Sequence, residues 1–160
     1  MSSKAHKEKI WGLIKDIKVG MLTTQDGQDF RARPMHLVQD EYDGTLWFFT
    51  KKSAEKVFEA EKEHHVCVTF SDKKDGVHVS LSGKAQLSND RNLIKKFWGP
   101  FIAPWFDGDE NDPEIVLLEI KISQGEHWES EKSKVFQMYE LAKANLTDTK
   151  PDVGTNEKFG

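Results

Sequence analysis

The sequence predicts a mainly β protein with helices at its periphery, and three observations carry that expectation. Strand-like runs are punctuated by tight-turn dipeptides, Asp26-Gly27 and Asp43-Gly44. EIVLLEIKI, residues 114–122, is a strongly apolar run of strand length. The helical stretches are inserted between hairpins rather than alternating one for one with strands, which argues against a parallel sheet. A small, mostly antiparallel barrel with peripheral helices fits this pattern.

Ile10, Leu13, Ile14 and Ile17 follow helical spacing, so the chain is expected to open with an amphipathic helix. VGMLTT, FRARPMHLVQ and TLWFFT then read as three strands in a meander, with Pro34 marking an edge or a bulge in the second. Ser53 can cap a second helix with Ala54, Val57 and Phe58 inward. HVCVTFS and GVHVSLSGKAQL form a strand pair around DKKDG. Ser88 or Asn89 is expected to cap a third helix, with Leu93, Ile94, Phe97 and Trp98 on one face. After the loop GPFIAPWFDGDENDPE comes the strong strand EIVLLEIKI, with GEHWES as a candidate further strand. Val135, Met138, Tyr139 and Ala142 mark a last helix. Residues 1–146 read as a single domain and 147–160 as a loose polar tail.

The totals set limits on function. The chain has 160 residues, enough for one domain with its own core, and a net charge of −4, which gives no global basic field for nucleic acid or acidic membrane. Its longest purely apolar runs, LWFF and IVLL, are far too short to span a bilayer, and the first residues lack the apolar stretch of a secretory signal. The one cysteine, Cys67, excludes an internal disulfide and fits a reducing compartment, so a cytoplasmic location is expected.

One stretch runs against ordinary helix chemistry. In LWFFTKKSAEK, a strand meets a helix start surrounded by Lys51, Lys52 and Lys56. Cations are disfavoured at the positive end of a helix unless an anion sits there. Strand alternation places Arg31, Arg33 and Met35 on one face, and a hairpin through Asp43-Gly44 would bring Arg33 towards Lys56, with Thr50 and Ser53 adding hydroxyls. Such a set can seat a phosphate; as a bare charge pattern it equally describes a solvated turn whose lysines pair with Glu55 and Glu59.

The pieces RARPMHLV, LWFFTKKSAEK, VHVSLSGKAQL, FWGPFIAPWFDGDENDPEIVLLEI and EHWES, in that order, resemble the general stress protein 26 group of the pyridoxamine 5′-phosphate oxidase-like, flavin-binding split barrels. The resemblance implies an FMN-binding antiparallel split β-barrel that works as a homodimer, with the flavin at the subunit interface. It implies Arg33 and Lys56 as phosphate ligands, and Met35, Phe49 and Thr50 along the ribityl chain and ring. Lys51 and Ser53 are implied as neighbours, His78 stands near the ring where the oxidase pattern has glutamine, and Trp128 packs on the flavin from the partner subunit. A true pyridoxamine phosphate oxidase follows its tryptophan with Arg-x-His-x-Arg. Here Trp128 is followed by ESEKSKVF, so vitamin B6 oxidation is not expected.

The aromatic loop WGPFIAPWF offers Trp98, expected in the core, and Trp105 and Phe106, split evenly between packing and a pocket or interface role. Asp107, Asp109 and Asn111 imitate the start of a calcium loop, but Asp112 and Leu118 stand where it needs glycine and a bidentate glutamate. His65 and Cys67 are too few for a metal site. The leading expectation is therefore an FMN-dependent redox protein linked to stress, with no acid or base evident for a defined substrate. A flavin carrier or sensor without turnover stands beside it, as does a split barrel holding haem or a deazaflavin, for which His36, His78 or His127 would be the axial candidates.

Overall fold

The structure is a computed structural model that describes residues 3–26, 28–53, 64–130, 134–147 and 154–160. Helix α1 (Ser3–Ile14) leads into β1 (Val19–Asp26), β2 (Asp29–His36), β3 (Thr45–Lys51), β4 (His64–Asp72) and β5 (Val77–Ser88). Helix α2 (Arg91–Phe97) and a short 3-10 turn, Ala103–Trp105, precede β6 (Ile115–Glu129). Helix α3 (Lys134–Thr147) and β7 (Thr155–Phe159) complete the order. The strands pair antiparallel in the order β2-β1-β4-β5-β6-β3, with β7 also on β6. The sheet curls until its two ends, β2 and β3, touch at the single bridge Leu37–Phe48. The result is a mainly antiparallel barrel closed at one point and split beyond it. Among the described residues no helix is long and apolar enough to cross a membrane.

Three expectations are corrected. The first three strands are not a meander, because β3 pairs with β6, from Thr45 opposite Lys121 to Lys51 opposite Ile115. The turn signal was real: Gly44 takes a φ of 114°, which favours glycine, and the Asp43 carboxylate accepts from the Thr45 N–H at 3.3 Å. Buried Gln39 decides where the chain goes next. Its amide donates to the Glu41 and Thr45 carbonyls at 2.9 and 2.7 Å and accepts from the Trp47 N–H at 2.8 Å, so β3 leaves β2 instead of running along it. Second, GEHWE is not a separate strand but the far half of β6. Third, the tail is not loose throughout, since Thr155–Phe159 takes β6's edge beyond the end of β3. There Phe159 stacks on His6 at 5.1 Å, and buried His127 lies between the carboxylates of Glu129 (3.5 Å) and Glu157 (3.4 Å). The expected second helix, from Ala54 onward, lies outside the described residues.

β6 explains why the core has two parts. Leu118 and Ile120 enter the barrel interior with Leu22, Phe48, Val68, Phe70 and Leu81, under the α1 residues Ile10 and Ile14. Ile115 and Leu117 point the other way and pack with Phe49, Ile94 and Ile102. A strand covered on both faces reads as an unbroken apolar run, which is why IVLL shows no alternation. Midway, β6 carries a bulge: Ser82 pairs with Gln124 and Gly83 with Ile122, leaving Ser123 extra. A Cβ on Gly83 would drive into the Lys121 carbonyl, so this position requires glycine. Helix α2 is capped by Asp90, one residue beyond the expected pair, its carboxylate accepting from the N–H groups of Asn92 (3.0 Å) and Leu93 (3.3 Å).

Gly83→Ala is expected to destabilise the protein by about 2 kcal/mol or more, read as a lowered midpoint in urea unfolding, because the close approach is to backbone and cannot relax through a side chain. Tyr42 gives a second test. It stacks on Trp11 at 6.1 Å, and burial, with the Asp43 charge adding to it, pushes its phenol up from 10.0 to about 12. The folded state then holds this proton more tightly than the unfolded chain. That contribution is complete below about pH 10 and lost as pH rises through about 12. Tyr42→Phe is expected to lose about 2 kcal/mol less than the parent across that window, and equal alkaline losses would contradict the assignment.

Candidate functional site

The split between β2 and β3 brings two of the candidate residues, Met35 and Phe49, into one cleft. Continuing the antiparallel register of the Leu37–Phe48 bridge sets Met35 across from Thr50 and Arg33 across from Lys52, where the strands have already parted. Met35 and Phe49 line a cleft of about 270 Å³ in this opening, with Val19, Pro34, His36, Ile102, Trp105 and Phe106. Its walls are largely apolar and aromatic, suited to a flat ring. Phe49 is held edge-on by Trp98 at 5.6 Å and Phe106 at 6.1 Å. Trp98 is therefore a packing residue, as expected. Trp105 is 75% exposed at the rim, while Phe106 both packs and lines the cleft. Two hollows of about 490 and 500 Å³, the first sharing His36 and Ile102 with the cleft, contain none of the nine candidates.

The polar candidates divide by face. Arg33 lies opposite Leu22 on the inward side of the β1–β2 pair and donates to the Thr24 hydroxyl at 2.8 Å. Thr50 follows Phe49 and so points to the other side of β3. Lys51 and Ser53 are exposed; between them the Lys52 N–H donates to the Glu114 carbonyl at 2.8 Å, which ties the joint to the start of β6. Lys56 lies outside the described residues.

His78 and Trp128 are not at this cleft. They pair with each other across β5 and β6, with Ser71 beyond His78 on β4 and Asn156 beyond Trp128 on β7. Along β6, Thr50 stands at Val116 and Trp128 lies twelve residues further on, about 40 Å of strand at about 3.3 Å per residue. One chain thus carries two separate parts of the expected site.

The acidic segment that follows the aromatic loop is fixed by a residue that sequence reasoning missed. Arg91 donates to the Asn89 side-chain oxygen at 3.0 Å and to the carbonyls of Ile115 (2.9 Å), Glu110 (2.7 Å) and Asp112 (3.0 Å). An arginine opening a helix beside an acidic loop was the available signal. Within that loop Asp109 and Asp112 accept from the backbone N–H groups of Asn111 and Glu114, both at 2.9 Å, as turn formers. Cys67 contacts the Ser80 hydroxyl at 3.4 Å, and His65 is exposed. No group of three or more metal-ligating side chains occurs among the described residues. Of the axial candidates, His127 is enclosed by its two carboxylates, His78 bonds Ser71, and His36 lines the cleft.

A split antiparallel barrel with an aromatic cleft at its opening and cations beside it defines the structural class of this protein. Comparison with known proteins places the chain within that class: the family described as pyridoxamine 5'-phosphate oxidase like matches residues 5–152, and the chain belongs to that family. General stress protein 26 of Bacillus subtilis is 30% identical over 76% of this chain and 86% of its own length. A crystal structure from Jannaschia sp. CCS1, provisionally called a general stress protein 26, is 31% identical, covers 99% of both chains and has a TM-score of 0.75. The general stress FMN/FAD binding protein of Xanthomonas citri is 29% identical over 82% of this chain and 93% of its own, with a TM-score of 0.71.

Arg91→Lys keeps the charge but loses the fork that reaches four acceptors. It is expected to cost about 1–3 kcal/mol, measured by chemical denaturation, as part-buried carbonyls lose charge-assisted partners. A change within about 0.5 kcal/mol would show that the loop holds itself.

Proposed function

We propose that this protein binds FMN between two copies of the chain and serves as a stress-linked redox protein. The carrying observation is that the candidate residues fall into two groups separated by most of β6. One ligand can meet both groups only if one copy supplies the β2–β3 opening and a second supplies His78 and Trp128. The cleft volume supports this reading, because about 270 Å³ is below the roughly 300–1,000 Å³ of pockets that enclose cofactor-sized ligands. So does the exposed apolar surface around it, with Val19 at 45%, Met21 at 40% and Trp105 at 75% exposure, which suits burial against a second copy.

The residues present fit the group. Met35, Phe49 and Phe106 offer an apolar face to a ring, while Thr50 and Arg33, on the inward faces of β3 and β2, offer a hydroxyl to a polyol chain and a cation to a phosphate. Lys56 belongs to the same phosphate set by resemblance. When bound, FMN supplies the electron chemistry, while the barrel orients it and limits water. The relative from Xanthomonas citri, named for FMN/FAD binding, supports flavin as the ligand class.

Equilibrium dialysis tests the phosphate assignment. Arg33→Ala is expected to weaken FMN about 10- to 100-fold, the loss of a charge-assisted contact of about 1.5–3 kcal/mol, and to leave riboflavin nearly unchanged. Mixing tests the two-copy site. Arg33→Ala and Trp128→Ala proteins should each bind poorly alone. Re-formed mixed dimers should regain one tight site per two chains, because one of their two sites then contains neither substitution. No recovery on mixing would contradict a site shared between two copies.

A further inference from the structure

A second space adjoins the cleft and has so far been given no role. Arg33, Met35 and His36 follow one another along β2, and Leu37 and Val38 continue beyond its end. Met35 and His36 line the aromatic cleft, while His36, Leu37 and Val38 line the hollow of about 490 Å³. His36 and Ile102 belong to both linings, so the hollow meets the cleft at the end of β2 away from Arg33. Its volume falls within the roughly 300–1,000 Å³ of small-molecule sites.

Aromatic side chains and two lysines line this hollow. The Lys15 N–H donates to the Trp11 carbonyl at 3.0 Å and the Lys18 N–H to the Ile14 carbonyl at 3.1 Å, so helical spacing sets Trp11, Lys15 and Lys18 on one face. Phe97 comes from the end of α2 and Phe101 from the loop behind it. Phe101 is 82% exposed. Among the described residues neither lysine has an ion-pair partner. Lys18 is also the one non-glycine with a positive φ among them, at 66°. The turn needs that backbone, because the Lys18 carbonyl accepts from the Leu37 N–H at 2.8 Å. Glycine would adopt it with less strain. What lysine adds is an ammonium group at the hollow. The negative end of α1 favours cations nearby, but it does not require both to line one cavity.

We propose that this hollow binds a planar aromatic acid, its ring against Trp11 and Phe101 and its carboxylate on Lys15 and Lys18. Binding there depends on the chain's own walls. The further role, as the seat of the molecule that meets a flavin ring in the adjoining cleft, rests on the flavin reading above. The aromatic walls supply stacking surface, and the ammonium groups fix the charged end. Asp16 and Asp40 lie on the same lining, so its lysine and aspartate charges cancel. An acid is therefore selected by where the two ammonium groups stand, not by a general positive field.

The test uses the full chain, with and without FMN, and two probes of the same shape, anthranilate and its neutral amide, anthranilamide. Affinities are read by isothermal titration calorimetry. Anthranilate is expected to bind about tenfold more tightly than the amide, as a charge-assisted contact allows. Lys15→Gln and Lys18→Gly should each weaken anthranilate about three- to tenfold and leave the amide nearly unchanged, whereas Phe101→Ala should weaken both. Lys18→Gly should also unfold at higher urea, because glycine accepts this backbone. A lysine that served the turn alone would show that gain in stability with no loss of binding. In FMN-loaded protein, saturating anthranilate should shift the visible flavin absorption; saturation with no shift would overturn the placement beside the ring. Equal affinities for the two probes, or lysine variants that bind anthranilate as the parent does, would overturn the inference. FMN uptake without anthranilate binding would overturn it and leave the flavin reading standing. Anthranilate binding without FMN uptake would support the hollow as a site and remove the flavin reading.

Discussion

The burial of β6 on both faces is the constraint on which the rest of this structure depends. Its first half sends Leu118 and Ile120 into the barrel and Ile115 and Leu117 into the second core, so neither core forms without it. It pairs with β5 along its length, and on its other edge it carries β3 and then β7 end to end. A strand shared in this way must change direction between its two halves. The bulge at Ser123, with Gly83 admitting the Lys121 carbonyl, provides that change.

The same constraint separates the candidate site into two parts. Because β3 occupies the first half of β6 and β5 continues to its end, residues from β3 and from the far end of β5 cannot meet within one chain. The split between β2 and β3 then leaves an aromatic cleft bordered by exposed Trp105, Met21 and Val19. Membership of the pyridoxamine 5'-phosphate oxidase like family is consistent with that architecture, and the chain's own departure after Trp128 keeps substrate chemistry apart from fold.

Polar residues do much of the positioning. Gln39 turns the chain from β2 into β3 through three backbone bonds, and Arg91 gathers the loop before β6 through carbonyls that would otherwise be left without partners. Both lie where the chain is irregular, and irregular backbone depends on side chains to satisfy what a ladder would otherwise satisfy.

By itself the sequence determined the elements and their chemistry. Helical spacing in Ile10–Ile14, the turn dipeptides, the aromatic loop and the cations around Lys51 are local patterns, and local patterns follow from backbone propensity and side-chain period. Through its ordered motifs the sequence also pointed to the family, and among its candidates were Met35 and Phe49, which line one cleft. Tertiary structure alone decided which strands pair, because register between distant segments depends on burial of whole faces, not on any short run. Thus β3 was free, on the sequence, to lie on β2, and the turn held by Gln39 together with the shared cores placed it on β6. Likewise Thr155–Phe159 has the composition of a tail, and becomes a strand because β6 offers an unfilled edge and a place for Phe159 against His6.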